Sequence, residues 1–485
     1  MAVASGEASA VERVRRKKFS AVVLFFQIVL IVLYSVFARY HDDPRASFTT
    51  HYPVYQDVHL LLFVGFGLLI SFLRRYSCSG VGYNLLILAF VLQWGLFIHE
   101  LFVNRFAGIP VNIRSLLDGD FCALAVIVSF GAVLGKLSPL QLLAMGLLEV
   151  IVYSINRYIG VRLFQAVDVG YSMYVHLFGA YFGLAVSRVI YCAFHDHHPQ
   201  QARTYRTELL SFIGTLFLWV CFPGLNLAMT PVVFHQRALL NTIFSLAACT
   251  LTTFVLSAFI SRDQKFGVVH LQNCVLAGGV AIGTGAHLLM QPYGAMLIGL
   301  CAAVISVLGF THIQPCLAKL RFHDVRGVHN VHGLPGIFAA IIGIVAALLA
   351  DLDRYGTDLY LAFPAMVPNN LTTDTTVIDM VASGQIRYNV GLSATSQAGM
   401  QALCLIVTLV LALAGGIVTG FVIRWSFWDP LTSDCVYDDR DYWEVTEEGT
   451  PEYWVYTPPP GTGDPSAPEE TVELKQKEEN EENHG

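Results

Sequence analysis

Two nine-residue stretches hold the residues best able to do chemistry, Asp168–His176 (DVGYSMYVH) and Asp324–His332 (DVRGVHNVH). In each an Asp is followed eight positions on by a His, and the copies lie 156 residues apart. Imidazole titrates near neutrality. Two neutral rings facing one another can share a proton and still offer a donor or an acceptor to a third molecule. Titratable groups beside long apolar runs are costly in lipid and mark a pathway or a structural anchor. The carboxylates admit a plainer reading too, as N-caps that accept backbone N–H bonds and contribute roughly 1 kcal/mol. Other candidates carry less. His195, Asp196, His197 and His198 read as a solvated loop rather than a metal site. His99–Glu100 has Val103 where a zinc protease needs its second His. No phosphate loop, dinucleotide fingerprint or nucleophile elbow is present, so no enzyme, cofactor or metal is expected.

The elements that position these residues are set by composition. The 485 residues are 55% hydrophobic and 13% charged, with a mean hydropathy of +0.56. This is the composition of an all-α polytopic membrane protein. A net charge of −7, much of it in the last fifty residues, argues against nucleic acid. The ten Cys follow no regular spacing and read as packing residues. A basic leader (1–18, with Arg13, Arg15, Arg16, Lys17 and Lys18) precedes an apolar run at 19–38, long enough to cross the bilayer and read as a retained span. Further runs lie at about 57–75, 82–102, 121–138, 140–160, 170–192, 207–222, 238–260, 267–288, 293–312, 330–350 and 396–424. The transmembrane domain is therefore 19–424, with about twelve spans. Residues 425–485 form a tail, disordered from about 457 by its Pro, Gly, Glu and Lys content. Before that, an acidic and aromatic stretch with Tyr442, Trp443, Tyr453 and Trp454 packs on the membrane domain or binds a partner.

An even number of spans places both termini on one side, and the Lys and Arg of alternate loops make that side cytoplasmic. The longest opposite loop, 351–395, carries the sequon Asn370-Leu371-Thr372 and so a glycosylation site. With this topology the His176 span runs inward and the His332 span outward, as in an inverted repeat with its site between the halves. A His eight residues into a helix lies roughly 12 Å below its Asp, near the midplane from either face. Gly131/Gly135, Gly179/Gly183, Gly279/Gly283 and Gly416/Gly420 allow close helix contact, which suits a rigid channel better than a rocking carrier.

The chain resembles the Rh branch of the ammonium transporter, methylammonium permease and Rh superfamily. The resemblance rests on HYPVYQDVHLLLFVGFG (51–67), DFCALAVIVSFGAVLGKLSP (120–139), HLFGAYFGL (176–184), IGTLFLW (213–219), VHLQNCVLAGGVAIGT (269–284) and GVHNVHGLPGI (327–337). It implies the ammonium transporter fold and a plasma-membrane homotrimer with one ammonia pore per subunit. His176 and His332 match the twin pore histidines, Asp168 and Asp324 the acids near the vestibules, and Phe121 the outer gate. The second gate departs, since Leu225 in PGLN stands where the family has Phe. His99 and Glu100 also stand where uncharged residues are usual, which makes this a divergent member.

Stripping an ammonium ion of water costs on the order of tens of kcal/mol in an idealised estimate. A dry pore therefore selects neutral ammonia if something accepts its hydrogen bonds midway. Such a pore need not distinguish small neutral gases, so carbon dioxide is an alternative substrate. A scaffold or sensor that works through its tail and a cytoplasmic partner is the alternative of another class. The presence of both histidines disfavours it.

Overall fold

In a bilayer a run of apolar residues can satisfy its backbone polar groups only within its own helix. A computed structural model describes residues 2–41, 48–104, 108–196, 198–370 and 372–444, with backbone alone at 2–11 and 48. Its main helices are α1 (Ala2–Phe37), α2 (Thr49–Leu69), α3 (Ser77–Val103), α4 (Ile113–Val133), α5 (Pro139–Leu163) and α6 (Ser172–Val189). They continue with α7 (Tyr205–Leu227), α8 (Val232–Ile260), α9 (Val268–Gly283), α10 (Pro292–Lys319), α11 (His329–Leu348) and α12 (Ala394–Ile423). Ten are long and apolar enough to span a membrane; α6 reaches that only with the turn after it, and α9 is shorter. Each coincides with one of the twelve apolar runs.

Three helices start well before their runs, α1 at Ala2, α2 at Thr49 and α4 at Ile113. The start of α4 is set by Asn112, whose side chain accepts from the amides of Arg114 and Ser115 while Ser115 caps in return. Hydropathy hides this turn because it contains Asp118 and Asp120. Both acids are partnered from neighbouring helices, Asp118 by Arg157 at 2.6 Å and Asp120 by His59 at 3.2 Å. Phe121 consequently lies inside a helix rather than at the start of a span.

α4 is buried on nearly every side and forms the centre of the bundle. Close approach around it uses the small residues expected for it. A Cβ on Gly416 of α12 would stand 2.4 Å from the Phe182 carbonyl of α6, so nothing larger than Gly fits there. By contrast α1 is peripheral, with Leu24, Phe25, Ile28 and Ile31 exposed as a lipid-facing helix requires. Gln27 and Gln93 bond across it at 2.9 Å.

The basic leader is continuous with α1 and touches the other end of the chain. Arg16 Nε donates to the Asp441 carbonyl at 2.6 Å, and Lys18 reaches Asp429 at 3.1 Å. The segment after α12 folds back as far as Trp443, where the compact unit ends. Asp439 accepts from the Cys78 and Ser79 amides at 3.0 and 2.7 Å, capping α3. The Tyr437 amide donates to the Gly135 carbonyl at 2.8 Å, and its ring covers that glycine, which has φ +76°. Tyr453, Trp454 and the tail from 457 lie outside the described residues. All ten cysteines are free.

Candidate functional site

The two histidines meet. Their Nδ1 atoms are 3.1 Å apart and their rings lie within 10° of parallel, both buried. Phe222 stacks on His176 at 5.8 Å between centroids and Phe66 on His332 at 6.3 Å, so two phenyl rings flank two imidazoles. Nδ1 against Nδ1 at this distance requires one proton between them. One ring then keeps Nε2 as an acceptor and the other has it as a donor. His176 Nε2 has no partner among the described residues. Beside His332 a cavity of about 20 Å³, lined also by Phe66, Phe222, Leu218, Val331 and Arg326, holds about one water-sized molecule.

Each histidine sits on a wide π turn, Ser172–Leu177 at the start of α6 and His329–Gly333 at the start of α11. Each turn is capped by the acid of its repeat. Asp168 accepts from the amides of Ser172 (3.0 Å), Met173 (2.8 Å) and Tyr174 (3.1 Å) and from the Thr284 hydroxyl (2.6 Å). Asp324 accepts from the amides of Gly327, Val328 and His329 at 2.9, 3.0 and 3.0 Å. This revises the depth argument. The acid stands outside the helix and caps it from the preceding loop, so His176 is only the fifth residue of α6 rather than two turns down. Burial pushes the Asp168 carboxyl up, against the hydrogen bonds from Thr284 and the three amides. Asp324 is likewise raised by burial, against the His329 and Val328 amides and the charges of His329 and Lys136.

Phe121 stacks on Tyr171 with centroids 4.2 Å apart and rings 13° from parallel. Tyr171 is held in the left-handed region at φ 56°, just before the capped turn. Arg157 lies 5.2 Å from the Tyr171 ring while paired to Asp118, and His99 bonds to the same guanidinium. The unusual His99 is thus one member of a buried charged cluster. Leu225 is buried in α7, and the aromatic side chain that α7 sets against the histidines is Phe222, one turn earlier. Asn370 is exposed, whereas Leu371 of its sequon lies outside the described residues. His195 packs 6.5 Å from the His323 ring. Burial and the Lys136 charge lower it to about 4. His197 lies outside the described residues.

Sequence reasoning missed Phe66, Phe222, Tyr171, the His59–Asp120 pair and Arg326. Phe66 falls within the recognised segment 51–67 and Tyr171 within the first motif, so position was available for both. Arg326 lies within the second motif, so its position was available too, and only Phe222 left no signal of its own.

Comparison with known proteins agrees in extent and in fold. Residues 18–429 match the Ammonium Transporter Family. Ammonium transporter Rh type B of Sus scrofa is 42% identical over 453 residues, covering 90% of this chain and 94% of that protein. Ammonium transporter Rh type C of Canis lupus familiaris is 39% identical over 474 residues, covering 93% and 98%. Among solved structures, Nitrosomonas europaea Rh50 superposes with a TM-score of 0.67 at 27% identity, covering 84% of this chain and 95% of that one.

Proposed function

The chain belongs to the ammonium transporter family, in its Rh branch, and on that premise we propose how it works: neutral ammonia crosses each subunit past His176 and His332. It is a transporter of ammonia or ammonium, not an enzyme. The observation that carries the pathway is the 3.1 Å Nδ1–Nδ1 contact of two buried rings. That contact accommodates one proton, leaving the pair with one donor and one acceptor to hand a polar molecule along. Ammonia matches this, having a lone pair to accept with and N–H groups to donate. Ammonium has no lone pair and would bring a full charge into a site walled by Phe66 and Phe222.

In this reading an ammonium ion reaches the mouth near His59 and Asp120, gives up its proton there, and passes the stacked Phe121 and Tyr171 when they part. Asp168 and Asp324 hold the turns that aim the two imidazoles. The subunits form a homotrimer in the plasma membrane with both termini cytoplasmic. Arg16 and Lys18 touching residues 427–441 support termini on one side. Glycosylation at Asn370 and a cytoplasmic partner for the tail belong to the same proposal.

The test is ammonium-driven pH change and current in proteoliposomes, with the parent beside His176→Ala and His332→Ala. Alkalinisation without current in the parent, lost in both variants, is the expected result. Unchanged flux and pH dependence in either variant would overturn the pathway.

A further inference from the structure

We propose that Arg326 is a charge filter, a guanidinium without a counter-ion that turns ammonium and other small cations away from the His332 side of the pore. Neutral ammonia passes it freely. The inference rests on the reading of the histidine pair as an ammonia pathway. It adds a selectivity residue which that reading does not require.

The two copies of the motif differ in charge at their third position. DVG carries Gly170 where DVR carries Arg326. The first copy has no room for a side chain there, since a Cβ on Gly170 would stand 2.4 Å from the Asn226 amide oxygen and 2.5 Å from Gly283 Cα. The second opens onto the cavity that His332 lines, and Arg326 lines it too. Two ends built from one repeat are therefore electrically unlike.

Arg326 is 6% exposed, a burial that charged side chains reach when they are paired. Among the described residues its polar contact is Nη2 donating to the Ser211 hydroxyl at 3.2 Å, and Nε has no partner there. No carboxylate forms an ion pair with it among the described residues. Asp324, two positions earlier, uses its oxygens on the three turn amides and acts on His329 and Lys136 instead. The nearest help is an aromatic face, Phe72, 4.6 Å from the guanidinium carbon. A second guanidinium, Arg203, lies 4.7 Å from the same ring and adds positive charge, with Glu208 acting on Arg203. Burial and the Arg203 charge push Arg326 down from its usual value, the mark of an uncompensated cation. A guanidinium nevertheless stays charged in a protein.

A fixed Arg beside a narrow passage raises an electrostatic barrier to cations and leaves neutral molecules alone. The cavity admits about one small molecule, so no file of water is available to screen the charge. The neutral imidazoles alone do not repel a cation. Arg326 supplies that repulsion.

The test uses the full chain in proteoliposomes, reading internal pH and current together under ammonium and methylammonium gradients. The parent should alkalinise with little current. Arg326→Gln, similar in length but uncharged, should keep the pH response and raise the ammonium-dependent current by on the order of tenfold or more, since a unit charge is removed from a poorly screened site. Arg326→Lys should behave as the parent. Val331→Glu, which retains the guanidinium but sets a carboxylate against it across the cavity, should leak like the Gln variant and serves if that variant does not fold. Flux without added current in the variants that neutralise the charge would overturn the filter, as would a Lys variant that leaks equally. Absence of any ammonia flux in the parent would instead sink the pore reading.

Discussion

Replacing Asp168 tests whether these acids work by hydrogen bonding or by charge. Its carboxylate serves four donors, the amides of Ser172, Met173 and Tyr174 and the Thr284 hydroxyl, at 2.6 to 3.1 Å and 5% exposure. Asp168→Ala leaves four buried donors with little access to water. At ~1 kcal/mol for each orphaned group, the low end of the usual range, the loss is about 4 kcal/mol. Asp168→Asn keeps one acceptor oxygen but turns an amide N–H₂ toward the remaining donors, and should cost about half as much. Asp324→Ala, with three amides served, should fall slightly below Asp168→Ala. Thermal unfolding in detergent ranks the variants, and flux per folded subunit in proteoliposomes reports whether the turn still presents His176. Stability and flux should decline together, in the order Asn then Ala. An Ala variant as stable as the parent would refute the capping account. So would an Asn variant of parental stability with no flux, which would make the charge itself the contributor.

Three further outcomes follow from the same contacts. Arg157→Met strips the buried Asp118 of its partner and should cost about 3–5 kcal/mol in thermal unfolding, while the Asp118→Asn, Arg157→Met double variant recovers part of the loss; equal losses in the two would disprove the coupling. Burial lowers Lys136 from 10.5 to about 7, with Asp324 and Asp196 pulling the other way. Because the folded state holds this proton more weakly than the unfolded chain, Lys136 contributes a stability that is full above 10.5 and lost as pH falls toward about 7, at ~1.4 kcal/mol per pH unit at most. Lys136→Met should therefore flatten the pH dependence of unfolding between 7 and 10, and an unaltered profile counts against it. Gly135→Ala adds strain at φ +76° and a methyl 2.2 Å from the Tyr437 ring. It should release residues 425–443 to protease before the helices unfold, and unchanged proteolysis would contradict the docking.

The chain alone determined the membrane class, the twelve apolar segments, the repeated Asp-to-His motif and the family. These are properties of local composition and of fixed spacing, and lipid permits apolar segments only one backbone solution. Where charge interrupts hydropathy, sequence failed. The first turns of α4 look polar until Arg157 and His59 arrive from other helices to pair Asp118 and Asp120. The depth of His176 was misjudged for a related reason, because a cap acts from outside the helix and a count from Asp168 includes the loop. Only the tertiary structure decided what surrounds the imidazoles. Phe66, Phe222 and Arg326 come from three separate segments, and although Arg326 shares the second motif, nothing in its own neighbourhood or theirs says that all three stand beside the imidazoles. Pairing, stacking and the missing counter-ion of Arg326 are relations between distant residues. They exist only once the helices have packed, and the selectivity of a pore depends on them.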